Sequence, residues 1–278
     1  MSLAQFDASR PIESRAALIL EAWDRQLSVQ SFTEQDRSFS LDDAYRIADE
    51  VRQLREARGE RVVGRKIGFT NTTIWTEYNV AAPIWGYVYD TSLHWLSEAL
   101  TPIALSAFVE PRIEPEIVFR LARAPVPGMD ERELLTCVEW AALGFEIVQS
   151  HFRGWRFHAP NTVAAFGLHG ALFVGEPITV TPGTEDEWFA ALRRFEIQLR
   201  RHGTVVETGH ARNVLHNGPL AALRHLVEGL AMDPKSPAIA TGEVVTTGTL
   251  TNAYPIGAGE QWHTMVAGLP LADIQISF

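Results

Sequence analysis

Between residues 13 and 54 the apolar positions recur at helical spacing. Ala16, Ile19, Leu20 and Trp23 form one stripe, and Ala44, Ile47, Ala48, Val51 and Leu54 form a second. Ser40 with Asp43 predicts a capping box opening the second helix. A charged stretch at 55–61 ends this part. The pattern then shifts to short β-rich runs punctuated by glycine and proline, at 62–69, 85–89, 113–121, 145–149 and 171–174. Two helices are predicted among them. One covers 130–143, with Leu134, Val138 and Ala141 on one face; the other covers 219–230, with Leu220, Leu223, Val227 and Leu230. Runs at 195–201 and 204–207, separated by His202-Gly203, predict a hairpin. The chain closes with β-like runs at 242–250 and 261–266 and an alternating pattern at 271–278. The expected class is α+β: a small helical N-terminal part, 1–60, ahead of a β-rich domain, 61–278.

Composition narrows the partners. A chain of 278 residues, 46% hydrophobic and 21% charged, excludes disorder, collagen and coiled coil. The formal net charge of −10 repels phosphate backbones and anionic bilayers, so neither nucleic acid nor membrane is expected as a partner. A single cysteine, Cys137, removes any disulfide framework or thiolate-rich zinc site and suits a reducing cytoplasm. The first fifteen residues carry charges and a proline where a secretion signal needs an apolar core. No apolar run approaches the roughly 20 residues that span a bilayer.

Three glutamates sit in otherwise core-like strands. Glu114 and Glu116 flank Pro115 within Ile113-Glu114-Pro115-Glu116-Ile117-Val118-Phe119, and positions i and i+2 of a strand share a face. Glu146 lies in Gly144-Phe145-Glu146-Ile147-Val148, expected just after the helix at 130–143. Buried carboxylates are costly unless protonated or bound to a cation, and oxygen ligands of this kind suit Mg²⁺ or Mn²⁺. The alternative is an exposed strand edge bearing solvated glutamates, which Pro115 would favour. Lys66, in Gly64-Arg65-Lys66-Ile67-Gly68-Phe69-Thr70, is either a charge stabiliser beside those carboxylates or a lysine snorkelling from a strand end. Gly248-Thr249-Leu250-Thr251 offers hydroxyls and amides for an anion, or is an ordinary loop. Nine histidines show no metal-ligand spacing. Trp140 and Trp155 read as core or pocket wall.

In order and spacing, the Gly-Arg-Lys-Ile-Gly-Phe-Thr strand, the Glu-Pro-Glu strand, Glu146 in its Phe-Glu-Ile-Val run and the late Gly-Thr-Leu-Thr loop resemble the 2-keto-4-pentenoate hydratase group of the fumarylacetoacetate hydrolase superfamily. The resemblance runs from about Leu41 to the C-terminus. It implies a mixed β-roll body like that family's C-terminal domain, with 61–278 as the catalytic domain. It also implies a divalent cation, Mg²⁺ or Mn²⁺, held by Glu114, Glu116 and Glu146. A 2-oxo acid substrate would chelate that cation, Lys66 would lie against its oxygens, and Thr251 would help hold its carboxylate. A homo-oligomer is the expected assembly.

The chain also departs from that family. Val80-Ala81-Ala82-Pro83 stands where an aspartate implicated in proton transfer is common, and Gln149-Ser150-His151 stands where Asp and Ser-Arg are usual. His169 replaces a small or hydroxyl residue. The leading expectation is a metal-dependent hydratase-like lyase on a 2-keto-enoic acid, in breakdown of aromatic or related compounds. Gln149 is then a substrate-binding candidate, and His151 and His169 are proton-handling candidates because imidazole titrates near neutrality. The alternatives are a 2-oxo-acid decarboxylase of the 4-oxalocrotonate type, a C–C hydrolase, and a catalytically silent relative that binds a keto acid.

Overall fold

A computed structural model describes residues 11–72, 75–78, 80–99, 102–233 and 235–278. The expectation of no secretion signal rests largely on residues 1–10, outside those described. In chain order the helices are α1 (Pro11–Asp24), α2 (Phe32–Gln35), α3 (Leu41–Ala57), α4 (Trp75–Tyr78), α5 (Glu131–Leu135), α6 (Ala159–Ala164), α7 (Glu185–Ala191) and α8 (Pro219–Met232). The strands are β1 (Val62–Gly68), β2 (Ile84–Tyr89), β3 (Leu93–Trp95), β4 (Arg112–Leu121), β5 (Val138–Val148), β6 (His169–Val174), β7 (Ile178–Thr179), β8 (Glu196–Arg201), β9 (Thr204–His210), β10 (Val244–Thr246), β11 (Tyr254–Pro255), β12 (Gln261–Ala267) and β13 (Gln275–Ser277).

The larger sheet is curled and mixed, in the order β2-β1-β10-β4-β5-β6-β3, with β11 also on β4 and β7 also on β5. The smaller sheet runs β13-β12-β8-β9 and contains the expected hairpin. This mixed α+β architecture is the expected one. Ser40 and Asp43 form the reciprocal capping box at the start of α3. Asp130 and Glu133 form another at the start of α5.

One predicted element is corrected. The helix expected over 130–143 ends after α5, and from Val138 the chain is strand β5. The stretch 137–143 is almost wholly buried, because β5 lies there between β4 and β7 and both its faces are covered, Ala141 and Leu143 packing into one core and Trp140 and Ala142 into another. A strand covered on both faces loses its period of two, and the remaining apolar spacing also fits a helix. Glu146 therefore belongs to a long central strand rather than to a short run after a helix. At 242–250 only Val244–Thr246 is strand. Gly248, at φ 92°, turns the chain so tightly that a Cβ there would meet Thr70 Oγ1 at 1.8 Å.

The large sheet separates two environments. Odd-numbered β4 side chains (Ile113, Ile117, Phe119, Leu121) enter the main core with Leu143, Phe145 and Ile147 of β5, Leu220 and Leu223 of α8, and Trp262 of β12. Even-numbered positions face the other way, where Val118 joins Ala142, Leu172 and Val244. A further core joins α1 and α3 to the body through Ile19, Ile47, Phe152, Val163 and Phe166.

Candidate metal and active site

Register gathers the carboxylates. In the antiparallel β4–β5 ladder Glu114 lies directly opposite Glu146, and Glu116 lies opposite Gly144. By the period of two, all three side chains leave the same face. Their carboxylate oxygens come within 4.8 Å of one another. Glu116 and Glu146 are fully buried. The exposed-edge alternative fails because β4 is an interior strand. Pro115 is accommodated because its side of the strand faces the gap between β10 and β11, where its carbonyl accepts from Leu250 N–H. The N–H it lacks has no ladder partner to lose there.

β1 brings in Lys66, which is only 2% exposed. Its Nζ donates to Gly167 O at 2.9 Å and stands 3.3 Å from Glu146 Oε2. The acceptor lies in a turn of three consecutive left-handed residues, Phe166 (φ 60°), Gly167 (φ 63°) and Leu168 (φ 65°). Such backbone persists only where its surroundings enforce it, and it clusters at functional sites. Gly86 on β2 permits the approach, since a Cβ there would stand 2.6 Å from Phe166 O.

The electrostatics are unbalanced. Burial pushes the Glu114 carboxyl up to about 7, against the pull of Lys66 and aided by repulsion from Glu146. Burial and both neighbouring carboxylates push Glu116 well above the usual range, and Gly248 N–H, donating to Oε2 at 2.8 Å, offsets little of this. Burial would raise Glu146 too, but Lys66 and His169 hold it below the ordinary value. Burial opposes the Lys66 charge, yet the three glutamates raise its pKa. Once all are ionised, three carboxylates and one ammonium leave two negative charges. Glu116 Oε1 has no hydrogen-bond partner among the described residues, and Glu146 Oε2 has only the ion contact with Lys66 at 3.3 Å. A divalent cation with oxygen-ligand preference fits both the charge and the unsatisfied oxygen.

Beside the carboxylates is a cavity of about 260 Å³. Lys66, Thr70, Glu114, Thr249 and Thr251 line its polar side, and Phe69, Val148, Trp155, Phe157 and Leu168 its apolar side. Thr251 is thus at the cavity, its hydroxyl donating to Asn252 O at 3.0 Å. Thr70 Oγ1 is buried there without a partner. Arg112 also lines the cavity, its guanidinium 4.0 Å from the Trp155 ring centroid. Sequence reasoning overlooked Arg112, although it shares the period-two face of Glu114 and Glu116.

The other candidates lie elsewhere. His169 is behind Glu146, with Nδ1 2.7 Å from Oε1. Gln149 is buried and accepts from Val109 N–H at 3.0 Å, outside the cavity lining. His151 is buried beside Trp23 and Phe166, its Nδ1 2.8 Å from Leu27 O, and also does not line the cavity. Burial lowers the pKa of both histidines, though Glu146 opposes this for His169 and the Leu27 carbonyl for His151. Ala81 is exposed in a bend before β2.

No family model matches the chain. It is 28% identical over 267 residues to 2-hydroxyhexa-2,4-dienoate hydratase of Comamonas testosteroni, covering 96% of this chain and 97% of the relative. It is 30% identical over 224 residues to a 4-oxalocrotonate decarboxylase of a Pseudomonas species, covering 78% and 82%. Among solved structures, 4-oxalocrotonate decarboxylase from Pseudomonas putida G7, complexed with magnesium and adipate, superposes with a TM-score of 0.86 at 23% identity, covering 98% of each chain. That likeness shows the shared fold.

The raised carboxyls give a pH prediction for the metal-free protein. Glu114 moves from 4.5 to about 7 on folding, so the folded state holds its proton more tightly. The associated stability is complete below pH 4.5 and is lost as pH rises through about 7. Raising the pH from 5 to 7.5 should therefore lower the melting temperature in chelator relative to that in saturating Mn²⁺, while the histidines whose pKa values burial lowers favour folding as pH rises and act on both alike. The same pH dependence with and without Mn²⁺ would contradict the charge assignment.

Proposed function

The chain belongs to the 2-keto-4-pentenoate hydratase group of the fumarylacetoacetate hydrolase superfamily, and on that premise we propose that it is a divalent-metal-dependent lyase. Its substrate is a 2-keto-enoic acid of the 2-hydroxypenta-2,4-dienoate type, met in the breakdown of aromatic or related compounds. The observation that carries the reading is the buried, undercompensated group of Glu114, Glu116 and Glu146 facing Lys66 across a small cavity.

Glu114, Glu116 and Glu146 would hold Mg²⁺ or Mn²⁺, which when bound supplies a Lewis acid for the substrate's keto oxygen. Lys66 contributes a fixed positive charge and N–H donors where negative charge grows on that oxygen; Gly167 O and Glu146 keep its Nζ in place. The unpartnered Thr70 hydroxyl and the Thr249–Thr251 loop supply donors for the substrate carboxylate. Phe69, Val148, Phe157 and Leu168 exclude water from the tail.

The proposed setting is a cytoplasmic homo-oligomer. The buried, unpaired Cys137 supports a reducing compartment. No helix among the described residues is long and apolar enough to cross a membrane.

A second reading, release of carbon dioxide from a dicarboxylic 2-oxo acid, is favoured by Arg112. It lies two residues outside Glu114 on the same strand face, roughly 7 Å along the strand. That spacing suits a second carboxylate at the far end of a short chelated acid, bound by charge-assisted hydrogen bonds.

Two experiments test these readings. Glu116→Gln should weaken Mn²⁺ binding sharply, whereas Lys66→Met should keep Mn²⁺ binding and lose about 10²–10³ in kcat on 2-hydroxypenta-2,4-dienoate or its dicarboxylic analogue. Native Mn²⁺ affinity in the first variant, or near-native turnover in the second, would remove that residue from its role. For Arg112→Leu, KM for the dicarboxylic acid should rise about tenfold or more while KM for the monocarboxylic acid changes little. Carbon dioxide and ultraviolet absorbance should be followed together. Equal effects on both substrates would eliminate the second-carboxylate site.

A further inference from the structure

His169 reaches Glu146 through a one-residue irregularity. Along the β5–β6 ladder Glu146 faces Leu172 and Ile147 faces Ala171, but Val148 then faces His169 instead of Gly170. The extra residue turns His169 onto the face shared by Val148 and Glu146, from which a regular strand would direct it away. Gly170 suits the bulge, since a Cβ there would stand 2.6 Å from Ile147 O and 3.1 Å from the Phe108 ring.

Both imidazole nitrogens are engaged. Nδ1 lies 2.7 Å from Glu146 Oε1, and Nε2 lies 2.9 Å from Ser92 Oγ. Ser92 is itself fixed in the turn after β2. Its Oγ accepts from Tyr89 N–H at 3.2 Å, and its own N–H donates to Tyr89 O at 3.0 Å. Its hydroxyl also lies 3.1 Å from Tyr89 O. Glu146, held in its ionised form, can only accept, so Nδ1–H donates to Oε1. In the neutral imidazole Nε2 is then the acceptor, and the Ser92 hydroxyl, within reach of both Tyr89 O and Nε2, can turn its proton to Nε2. Ser92, His169 and Glu146 are all buried, so the chain of contacts is shielded from water. Neither nitrogen is left to exchange a proton with a molecule in the cavity.

We propose that His169 is a positioning residue: it clamps Glu146 Oε1 so that Oε2 is held toward Lys66 and the cation. This rests on the divalent-cation reading above. A carboxylate ligand held in this way loses less freedom on binding metal, and outer partners of this kind typically contribute about 10–100-fold in metal affinity.

The test is Mn²⁺ titration by calorimetry on native protein and on His169→Leu, His169→Asn and Ser92→Ala, with Glu116→Gln as control. His169→Leu should weaken Mn²⁺ binding about 10–100-fold. His169→Asn, whose amide can still donate to Oε1, should recover most of it. Ser92→Ala, which leaves the imidazole but frees its far side, should show a smaller loss in the same direction, and it serves as the deciding variant if His169→Leu does not fold. In kinetics the defect should appear in the Mn²⁺ concentration for half-maximal turnover more than in kcat. Native Mn²⁺ affinity in folded His169→Leu, or in Ser92→Ala where that variant decides, overturns the proposal. So does kcat loss with unchanged metal affinity, the signature of a proton shuttle. If native protein and Glu116→Gln both fail to bind Mn²⁺, the divalent-cation reading fails instead.

Discussion

Like charges held together away from water set the terms for the rest of this molecule. The β4–β5 register puts Glu114 opposite Glu146 and adds Glu116 on the same face, so repulsion and desolvation act on one small volume. Lys66 offsets one charge, and Glu146, nearest to it, is the carboxylate whose ionised form is favoured. Glu114 and Glu116 are left raised. A divalent cation would resolve the imbalance and, so held, would orient a chelating 2-oxo acid.

Backbone geometry keeps the arrangement from relaxing. The left-handed turn at Phe166–Gly167–Leu168 aims a carbonyl at Lys66 Nζ and is pressed against Gly86 of β2. That turn also ties the site to the N-terminal helices, since Phe166 packs against Trp23 and lies 5.7 Å from the Arg55 guanidinium. The strained segment is held by both the sheet and the helical core, the condition under which unfavourable φ values survive.

Much of the site was legible because its signal is local. Glutamates at i and i+2 within an apolar run share a face in any strand, and a lysine between two glycines in a second such run is costly unless compensated. What escaped depends on long-range packing. The 138–143 stretch reads as a helix face because β5 is covered on both sides, which removes its alternation. The direction of His169 depends on a bulge in its pairing with β5, which Gly170 fits because a larger residue would meet Ile147 and Phe108, more than twenty and sixty residues away in sequence. Gln149 and His151 adjoin Glu146 in sequence, yet their side chains are taken up by Val109 and Leu27. Arg112 needed only the period already applied to Glu114, extended by one step.

The most direct test of the account is the number of protons released per Mn²⁺ bound, obtained by calorimetry at pH 6 in buffers of different ionisation enthalpy. On the proposed reading, the carboxyls of Glu114 and Glu116, raised by burial, hold protons in the metal-free site and would give them up to take the metal. The account predicts release of between one and two protons, on the order of the two raised carboxyls, falling toward one as pH rises past 7. Mn²⁺ binding with no proton release at pH 6, or no binding at all, would contradict it.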